Sequence, residues 1–548
     1  MQFTQIENLI RIDFQYDSKT VAGVKALPGA RFQKDVTGAY WTIPSENLKY
    51  VFDRFPLTPG FLFPGCKNFL NPDYFGNLKV SIKENKIKIE GEKSAWLSQS
   101  ILDLCSIEYS GKRTEGKRSI NVVYNETVAE EIYAKNNIVV VQFPPGLYWR
   151  ILDFIKIFNF DITVDPYPKS PALNPKPIKI TPRFYQQKTT DMILSGEIKN
   201  RATLVMATAG GKTILSVMIA AALGLNTIFY TYSTDLLDQT AEVYENLFGT
   251  KIGRISGEYF DIQPITIATV QAVYSCQERQ DERWEPISEY LNTVDLMFID
   301  EGHMLGAKTI FTISQITNAY YSYALTATPE REDGKELLIE AGTGPAVNLI
   351  SEDELIKGGH VLPIEVNIYQ VPRVRNKAKT YNTQYKKQIV NNNFRNKLIA
   401  DIAERYQDRQ TIILVKEIPH GKNLKELISA PFIHGTSKNR KEVLAAFKSK
   451  EIKTIIASNI LKQGIDLPGA EVLILAHGGS GKVELQQKIG RIRRPAPEKE
   501  VGIVIDFYDS PEQNDVFSQQ AEKRIAFYKS KNFNVYFMSE LDTSLVSC

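Results

Sequence analysis

The run Ala207-Thr208-Ala209-Gly210-Gly211-Lys212-Thr213 has the composition of a loop that holds a polyphosphate. It follows the apolar, strand-like ATLVM and precedes the helical ILSVMIAAAL, so its backbone N–H groups and a positive helix end converge on one place. The glycines let the backbone wrap closely, Lys212 can reach β- and γ-phosphates, and the Thr213 hydroxyl is a ligand for Mg2+. Met206 stands where the strict pattern has its first glycine, and a plain glycine-rich turn is the alternative. Further along, DLMFI ends in Asp300-Glu301-Gly302-His303. Asp300 suits holding Mg2+ through water, and Glu301 suits orienting or deprotonating an attacking water. Alone, such a pair reads as a solvated strand end; together with the phosphate loop it reads as a site. His303, otherwise an ordinary loop histidine, is expected to couple the nucleotide to Thr326-Ala327-Thr328-Pro329. The Thr326 and Thr328 hydroxyls would link the carboxylates to a domain interface; solvated threonines at a strand end are the alternative.

The last third carries Gly464-Ile465-Asp466-Leu467-Pro468 after TIIAS, and Gln487-Lys488-Ile489-Gly490-Arg491-Ile492-Arg493-Arg494. A cluster of arginines is usually a surface patch. In a two-lobed nucleoside triphosphatase it has a sharper use: one lobe supplies cations to the γ-phosphate bound by the other.

The elements that must position these residues are short apolar strands between helices. ATLVM, TIFYTY, ITIAT, DLMFID and YALTAT form one set, and IEVNIY, TIILV, KTIIAS, EVLILA and VGIVIDF a second. Continuous apolar strands separated by helical patterns mean parallel sheets covered on both faces. The expected fold class is α/β, two tandem doubly wound parallel-sheet domains preceded by an α+β domain. Between Asp165 and Arg183 there are six prolines in nineteen residues, too many for helix or central strand, so this is a linker. The expected organisation is an N-terminal domain at 1–164, a linker at 165–183, a first lobe at 184–351 and a second at 352–548. In the first region, IRIDF alternates as a strand, Ser45 can cap a helix in SENLKYVFDRF, and Val80–Ile89 reads as two strands around Glu84-Asn85. This first pattern, in which Tyr40-Trp41-Thr42-Ile43-Pro44 leads into the helix, recurs as a weak internal repeat: INVVY is followed by a helical stretch, and IVVVQFPPGLYWRILDFIKIF repeats strand, proline and aromatic helix. Lys112-Arg113 and Lys117-Arg118 fall in GKRTEGKRS, which reads as a solvated loop.

The bulk properties agree with several ordinary domains. The chain has 548 residues, 43% hydrophobic and 24% charged, with 66 Lys+Arg against 63 Asp+Glu. A net charge of +3 excludes a polybasic protein, so any nucleic-acid contact must use locally placed charge. Cys66, Cys105, Cys276 and Cys548 have neither disulfide-scaffold nor zinc-module spacing. The N-terminus lacks a basic region followed by an apolar one, and no apolar run reaches the ~18–20 residues of a bilayer span. The expectation is a cytoplasmic protein without membrane contact, in host cytoplasm if phage-encoded.

Arg183-Phe184-Tyr185-Gln186, ATAGGKT, DEGH, TATP, SNILKQGIDLP and QQKIGRIRR stand in the order of superfamily 2 helicase motifs. Over roughly Ile180–Phe507 the chain resembles the phage UvsW-type branch-migration helicases, and more distantly RecG and XPB. The resemblance implies that Gln186 recognises adenine, assisted by Arg183 or Tyr185. It implies an ATP site of Thr208, Ala209, Gly210, Gly211, Lys212, Thr213, Asp300 and Glu301, with Mg2+ on Thr213 and Asp300. It further implies that Gly464 and Asp466 touch nucleotide and that Gln487, Arg491 and Arg494 act across a cleft. Gly302 departs from the commoner Ala or Cys. The segment from Ile10 to Phe55 also resembles the HARP module of annealing helicases, which would make it a reader of DNA junctions.

The implied partner is DNA, as forks or four-way junctions, gripped by phosphates because a translocase must ignore sequence. Candidate contacts lie in loops holding Thr234, Gln271, His420, Gly435 and Ser458. An RNA helicase or transcript-release ATPase is the competing enzyme, and a non-catalytic nucleic-acid-binding adaptor the competing class.

Overall fold

The computed structural model describes the chain apart from residues 1, 7–8, 14–20, 22–23, 27–28, 36–37, 45–76, 84–85, 93–100, 116–117, 134–137, 158–160, 165–169, 208–209, 330–332, 375–379, 459–468, 497–498, 510–514 and 539–548. It falls into two compact units. One comprises Met1–Val205, Leu215–Tyr232 and Thr240–Leu349; the other comprises Met206–Ile214, Ser233–Gln239 and Ile350–Cys548.

The first unit begins with β1 (Gln2–Ile6), β2 (Leu9–Asp13), β3 (Arg31–Asp35) and β4 (Gly38–Pro44), an antiparallel sheet in the order β1-β2-β4-β3. Then come β5 (Asn77–Lys83), β6 (Lys86–Glu92), β7 (Ser106–Glu115), β8 (Arg118–Thr127), β9 (Glu130–Tyr133), β10 (Ile138–Phe143), helix α1 (Tyr148–Ile157) and β11 (Asp161–Val164). Five of these strands form a sheet in the order β11-β5-β6-β10-β9, while β7 and β8 pair only with each other. Alternation is visible in β6, where Ile87 and Ile89 are buried and Lys86, Lys88 and Glu90 lie on the opposite face. The helical stretch expected after INVVY is absent. The stretch after INVVY continues as β8 and then β9, because it pairs in ladders instead of closing helical turns. The basic run read as a solvated loop lies largely within β7 and β8. The helix expected at SENLKYVFDRF lies outside the described residues.

The same unit continues through residues 170–183, which form neither helix nor strand, into α2 (Phe184–Leu194). The proline-rich stretch is nonetheless docked. Asn174 N–H donates to the Leu223 carbonyl (3.0 Å) and Lys176 N–H to that of Ala221 (2.8 Å), satisfying the last carbonyls of α3 (Lys212–Leu223).

The first parallel sheet contains β12 (Arg201–Met206), β13 (Thr227–Thr231), β14 (Gly253–Ile255), β15 (Phe260–Asp261), β16 (Ile265–Thr269), β17 (Leu296–Ile299), β18 (Tyr321–Thr326) and β19 (Ala346–Ile350). Its order is β15-β14-β16-β13-β17-β18-β12-β19, and β14 through β12 run parallel. Central strands β12, β13 and β17 are buried at every position, as continuous apolar runs require. The helices between these strands are α4 (Thr234–Phe248), α5 (Val270–Arg279), α6 (Trp284–Thr293), α7 (Lys308–Ile316) and α8 (Glu336–Thr343).

Residues 1–164 and this sheet share one compact unit. Ala341 of α8 belongs to the same buried cluster as Ile89, Val141 and Ile151, and Leu337 and Phe311 pack against it. Gly146 lies so close to the carbonyls of Glu340 and Ala341 that any side chain there would collide. Arg150 grips Glu340 through two bonds, Nε to Oε1 at 2.8 Å and Nη2 to Oε2 at 2.5 Å. Such a two-point guanidinium–carboxylate pair fixes orientation as well as distance.

The second unit adds α9 (Glu352–Lys357) and β20 (Ile364–Val371), followed by α10 (Tyr381–Tyr385) and α11 (Asn393–Arg405). Next are β21 (Thr411–Leu414), α12 (Ile418–Leu427), β22 (Phe432–Ile433), α13 (Arg440–Lys448), β23 (Thr454–Ala457) and β24 (Val472–Leu475). It ends with α14 (Lys482–Gly490), β25 (Gly502–Asp509), α15 (Val516–Ser530) and β26 (Asn534–Met538). The sheet order is β22-β23-β21-β24-β25-β20-β26, all parallel. The ten strands expected from the sequence are present; β14, β15, β19, β22 and β26 extend the two sheets at their edges.

Candidate nucleotide and nucleic-acid site

The phosphate loop follows β12, Asp300-Glu301 follow β17, and Thr326-Ala327-Thr328 close β18. These three strands are consecutive in the first sheet and parallel, in the order β17-β18-β12. The carboxyl edge of an open parallel sheet is where such folds bind ligands.

Met206, the departure from the strict phosphate-loop pattern, has a structural explanation. Its side chain is buried and occupies the space beside Gly210, where a Cβ would meet Met206 Cγ and Sδ at 2.7 Å. Gly210 N–H donates back to the Ala207 carbonyl (3.0 Å), and Gly211 adopts φ +84°, which a side chain would resist. A turn cradled this tightly, ending in Lys212 and Thr213 at the first turn of α3, fits a polyphosphate with Mg2+. Thr208 and Ala209 lie outside the described residues.

At the acid pair, Asp300 N–H donates to the Tyr230 carbonyl (3.0 Å), and Asp300 Oδ1 accepts from Glu301 N–H (2.9 Å). Glu301 is held at φ +48°, ψ +53°, the left-handed region a non-glycine residue avoids. Gly302 follows because no other residue fits: a Cβ there would lie 2.7 Å from Ala324 Cβ on the neighbouring strand. The departure from Ala or Cys is thus compensated by Ala324. Buried His303 places Nδ1 3.4 Å from Glu301 Oε2 and 3.5 Å from Thr326 Oγ1. Thr326 Oγ1 in turn donates to the Thr328 carbonyl (2.8 Å) and accepts from Thr328 N–H (3.2 Å). A continuous polar path therefore runs from Glu301 through His303 and Thr326 to Thr328.

At the start of α2, Gln186 is buried and its Oε1 accepts from Arg183 N–H (3.0 Å), while Arg183 Nη1 donates to Tyr185 OH (2.9 Å). The three residues implied to read adenine thus form one hydrogen-bonded group, the amide orientation fixed by the helix end.

In the second unit, Gln487 lies on α14, Arg491 opens the short 3-10 turn after it, and Arg494 follows that turn. Arg493 between them is buried and committed to structure, bonding Glu352 and the Leu362 carbonyl (3.1 Å). Gly464 and Asp466 lie outside the described residues. Sequence reasoning missed Lys488, whose Nζ donates to His477 Nε2 at 2.6 Å and pairs with Glu484 at 2.7 Å. His477 Nδ1–H donates to the Gly478 carbonyl (2.7 Å), so α14 is tied to the loop after β24.

Of the expected nucleic-acid contacts, Gln271 and Gly435 are exposed, Thr234 is half-buried at the first position of α4, and Ser458 is buried. His420 requires a correction. It is completely buried, with Nε2 3.0 Å from Asn396 Oδ1, so its ring belongs to the core beneath the loop. Burial, reinforced by Arg395 nearby, pushes its pKa down to about 3. The unfolded chain, with an ordinary histidine near 6.5, therefore binds a proton that the folded one refuses. Stability is complete above pH 6.5 and falls below it, by about 2 kcal/mol from this histidine at pH 5. In urea titrations His420→Gln is expected to flatten the decline in stability between pH 6.5 and 5; an unchanged slope would contradict this.

Tandem parallel sheets with these motifs on the edge of the first make a RecA-like α/β fold. Residues 179–331 match the family of the type III restriction enzyme res subunit, and residues 394–496 the helicase conserved C-terminal domain. These two matched regions are the paired helicase domains of superfamily 2, and helicases of the XPB and UvsW kind are among the sequence relatives. It is 24% identical to the ATP-dependent DNA helicase uvsW of enterobacteria phage T4, over 61% of this chain and 69% of that protein. It is also 24% identical to the DNA 3'-5' translocase XPB2 of Sulfurisphaera tokodaii, over 58% and 79%. A protein of Acanthamoeba polyphaga mimivirus assigned as ATP-dependent RNA helicase L396 is 25% identical over 71% and 74%. Helicases of this superfamily use ATP, typically with Mg2+, and bind nucleic acid.

Proposed function

We propose that this chain is an ATP-dependent DNA helicase or translocase that remodels branched DNA, acting on forks and four-way junctions in replication, recombination or repair. The observation that carries the reading is the placement of phosphate loop, acid pair and TATP on three consecutive strand ends within a superfamily 2 motor. Relatives named as DNA helicase and DNA translocase support DNA as the track.

In this reading Lys212 draws the β- and γ-phosphates into the loop, and Thr213 and Asp300 would hold Mg2+, which when bound neutralises phosphate charge. Glu301 orients the attacking water and takes its proton; His303 and Thr326 transmit the state of Glu301 to Thr328. Gln487, Arg491 and Arg494 neutralise charge that develops on the γ-phosphate, so turnover depends on lobe closure. Thr234, Gln271, Gly435 and Ser458 grip strand phosphates. Residues 1–164 recognise the junction. Among the described residues no helix is long and apolar enough to cross a membrane.

An RNA helicase is the second reading, favoured by the mimivirus relative. ATPase rates with single-stranded DNA, duplex, fork, four-way junction and RNA separate the two. Forks and junctions are expected to stimulate at least tenfold more than RNA; equal or greater stimulation by RNA would overturn the DNA assignment. Full-length protein is required, because removing residues 1–164 would strip the apolar cover from α8.

A further inference from the structure

Between Glu365 and Asp401 the chain contains no Asp or Glu, although acids and bases are nearly balanced over the whole sequence. The described part of this stretch carries Arg373, Lys386, Lys387, Arg395 and Lys397. Arg373 is engaged, with Nε 3.7 Å from Asp515 Oδ2, and Arg395 is buried. Lys386, Lys387 and Lys397 are exposed and have no carboxylate partner among the described residues. The first turn of α11 is inverted relative to an ordinary surface helix. Asn392, Arg395 and Asn396 are buried, whereas Phe394 is 45% exposed. Burying a guanidinium while exposing a phenyl ring is the reverse of what solvation favours, so the arrangement calls for a use.

The inward groups fix the segment to the carboxyl edge of the second sheet, the edge where open parallel sheets bind ligands. Arg395 Nη1 bonds Asp509 Oδ1 at the end of β25 (2.5 Å), and Nη2 donates to the Ala476 carbonyl just after β24 (3.3 Å). Asn392 Oδ1 accepts from Arg395 N–H (3.2 Å), which caps α11, and Asn396 Nδ2 donates to the Val390 carbonyl (3.0 Å). Buried Gln388 accepts from Val374 N–H (2.7 Å) and donates to the Pro372 carbonyl (3.2 Å). Lys386–Val390 is a π turn, a form that recurs at functional sites, and it leaves two lysines side by side on the outside. Lys416, exposed just beyond β21, has Nζ 5.5 Å from the centre of the Tyr385 ring, with half-buried Glu417 as the acid beside it. The loop whose His420 is buried thus contributes a different cation. Tyr381 is 37% exposed, and its ring is held by stacking on Phe517 at 5.9 Å and by Gln520 Nε2 donating to its hydroxyl (3.4 Å).

Unpaired nucleic acid is held by two components together: cations that meet its phosphates and rings that meet its base faces. Both are present on this edge. A duplex hides its base faces in the stack, which favours a single strand as the occupant. We propose that the carboxyl edge of the second sheet holds single-stranded DNA, with Lys386, Lys387, Lys397 and Lys416 on its phosphates and Phe394 and Tyr381 against its bases. The proposal rests on the DNA reading given above and adds a second-unit surface, with a stacking component, to the strand contacts.

The test uses full-length protein without nucleotide and a fluorescein-labelled oligothymidine of about 20 bases, with salt from about 50 to 200 mM. Each lost phosphate contact on a single strand lowers the slope of log affinity against log salt by about 0.7, so K386Q/K387Q/K397Q is expected to lower it by roughly 2. Phe394→Ala is expected to weaken binding at least about fivefold with the slope unchanged, the signature of a lost base stack, and Phe394→Trp to restore it. Binding of duplex DNA of the same length is expected to stay within about twofold in Phe394→Ala, because paired bases offer the ring no face. An unchanged slope in the lysine variant would overturn the proposal, as would an equal loss of duplex and single-strand binding in Phe394→Ala. The charge-keeping variant K386R/K387R/K397R is expected to keep the wild-type slope; its loss in both lysine variants would show that only folding of the segment is being read, and would also overturn it. A wild type that holds the strand as expected, but whose ATPase ignores every nucleic acid, would defeat the motor reading and leave this one standing.

Discussion

Lys212→Ala is expected to lower ATP turnover by at least about 10²- to 10³-fold while leaving nucleic-acid affinity within a few-fold. Removing one preorganised charge stabiliser from a phosphoryl-transfer site typically costs that much in kcat. Lys212 stands at the first position of α3, where the helix end and the tight Gly210-Gly211 turn already gather N–H groups. The variant is expected to fold and to unfold near the wild-type temperature. Steady-state hydrolysis with saturating single-stranded DNA is the measurement. Near-normal turnover would mean that the loop after β12 is an ordinary turn.

Arg524→Met is expected to carry the largest stability loss. Arg524 is buried and holds Asp506 at two points, Nε to Oδ2 at 2.8 Å and Nη2 to Oδ1 at 3.0 Å, while also donating to the carbonyls of Gly479 (2.6 Å) and Phe507 (2.8 Å). Asp506 further accepts from Tyr528 OH (2.7 Å) and Phe507 N–H (2.7 Å). Burial alone would raise the Asp506 pKa, but the guanidinium and these donors hold it below the usual carboxylate range. Without Arg524 an unpaired charge remains in the core, a change that costs about 3–5 kcal/mol. For a unit of this size that is roughly a 10 °C fall in Tm. The deficit has a pH signature. In the variant burial prevails and Asp506 takes up a proton more readily folded than unfolded, so the gap from wild type should narrow as pH falls from 7 to 5. A gap that stays constant over that range would assign the loss to packing.

The sequence was most readable where chemistry or burial restricts residue type. β12, β13, β17 and β24 are covered on both faces, which leaves an unbroken apolar run in the chain. The edge strands β15, β19 and β26 are partly exposed, and their mixed pattern resembles that of loops. Lys212, Asp300 and Glu301 stood out because phosphate and metal chemistry tolerates few substitutes. His420 did not yield to that reasoning, since nothing in HGKNL shows that Asn396, 24 residues earlier, will receive its ring in the core. The compensation of Gly302 by Ala324 is invisible for the same reason: the partner is a neighbour only after β17 and β18 have paired. Arg395 and Asp509, which bond at 2.5 Å in the core, are separated by more than a hundred residues.

The left-handed backbone at Glu301 has an evolutionary consequence. Holding a side-chain-bearing residue there costs on the order of 1–3 kcal/mol, and glycine would be relieved of most of it. Laboratory selection for heat resistance alone should therefore drift toward glycine at this position, trading turnover for ruggedness. Lineages that still have to consume fuel should resist that drift.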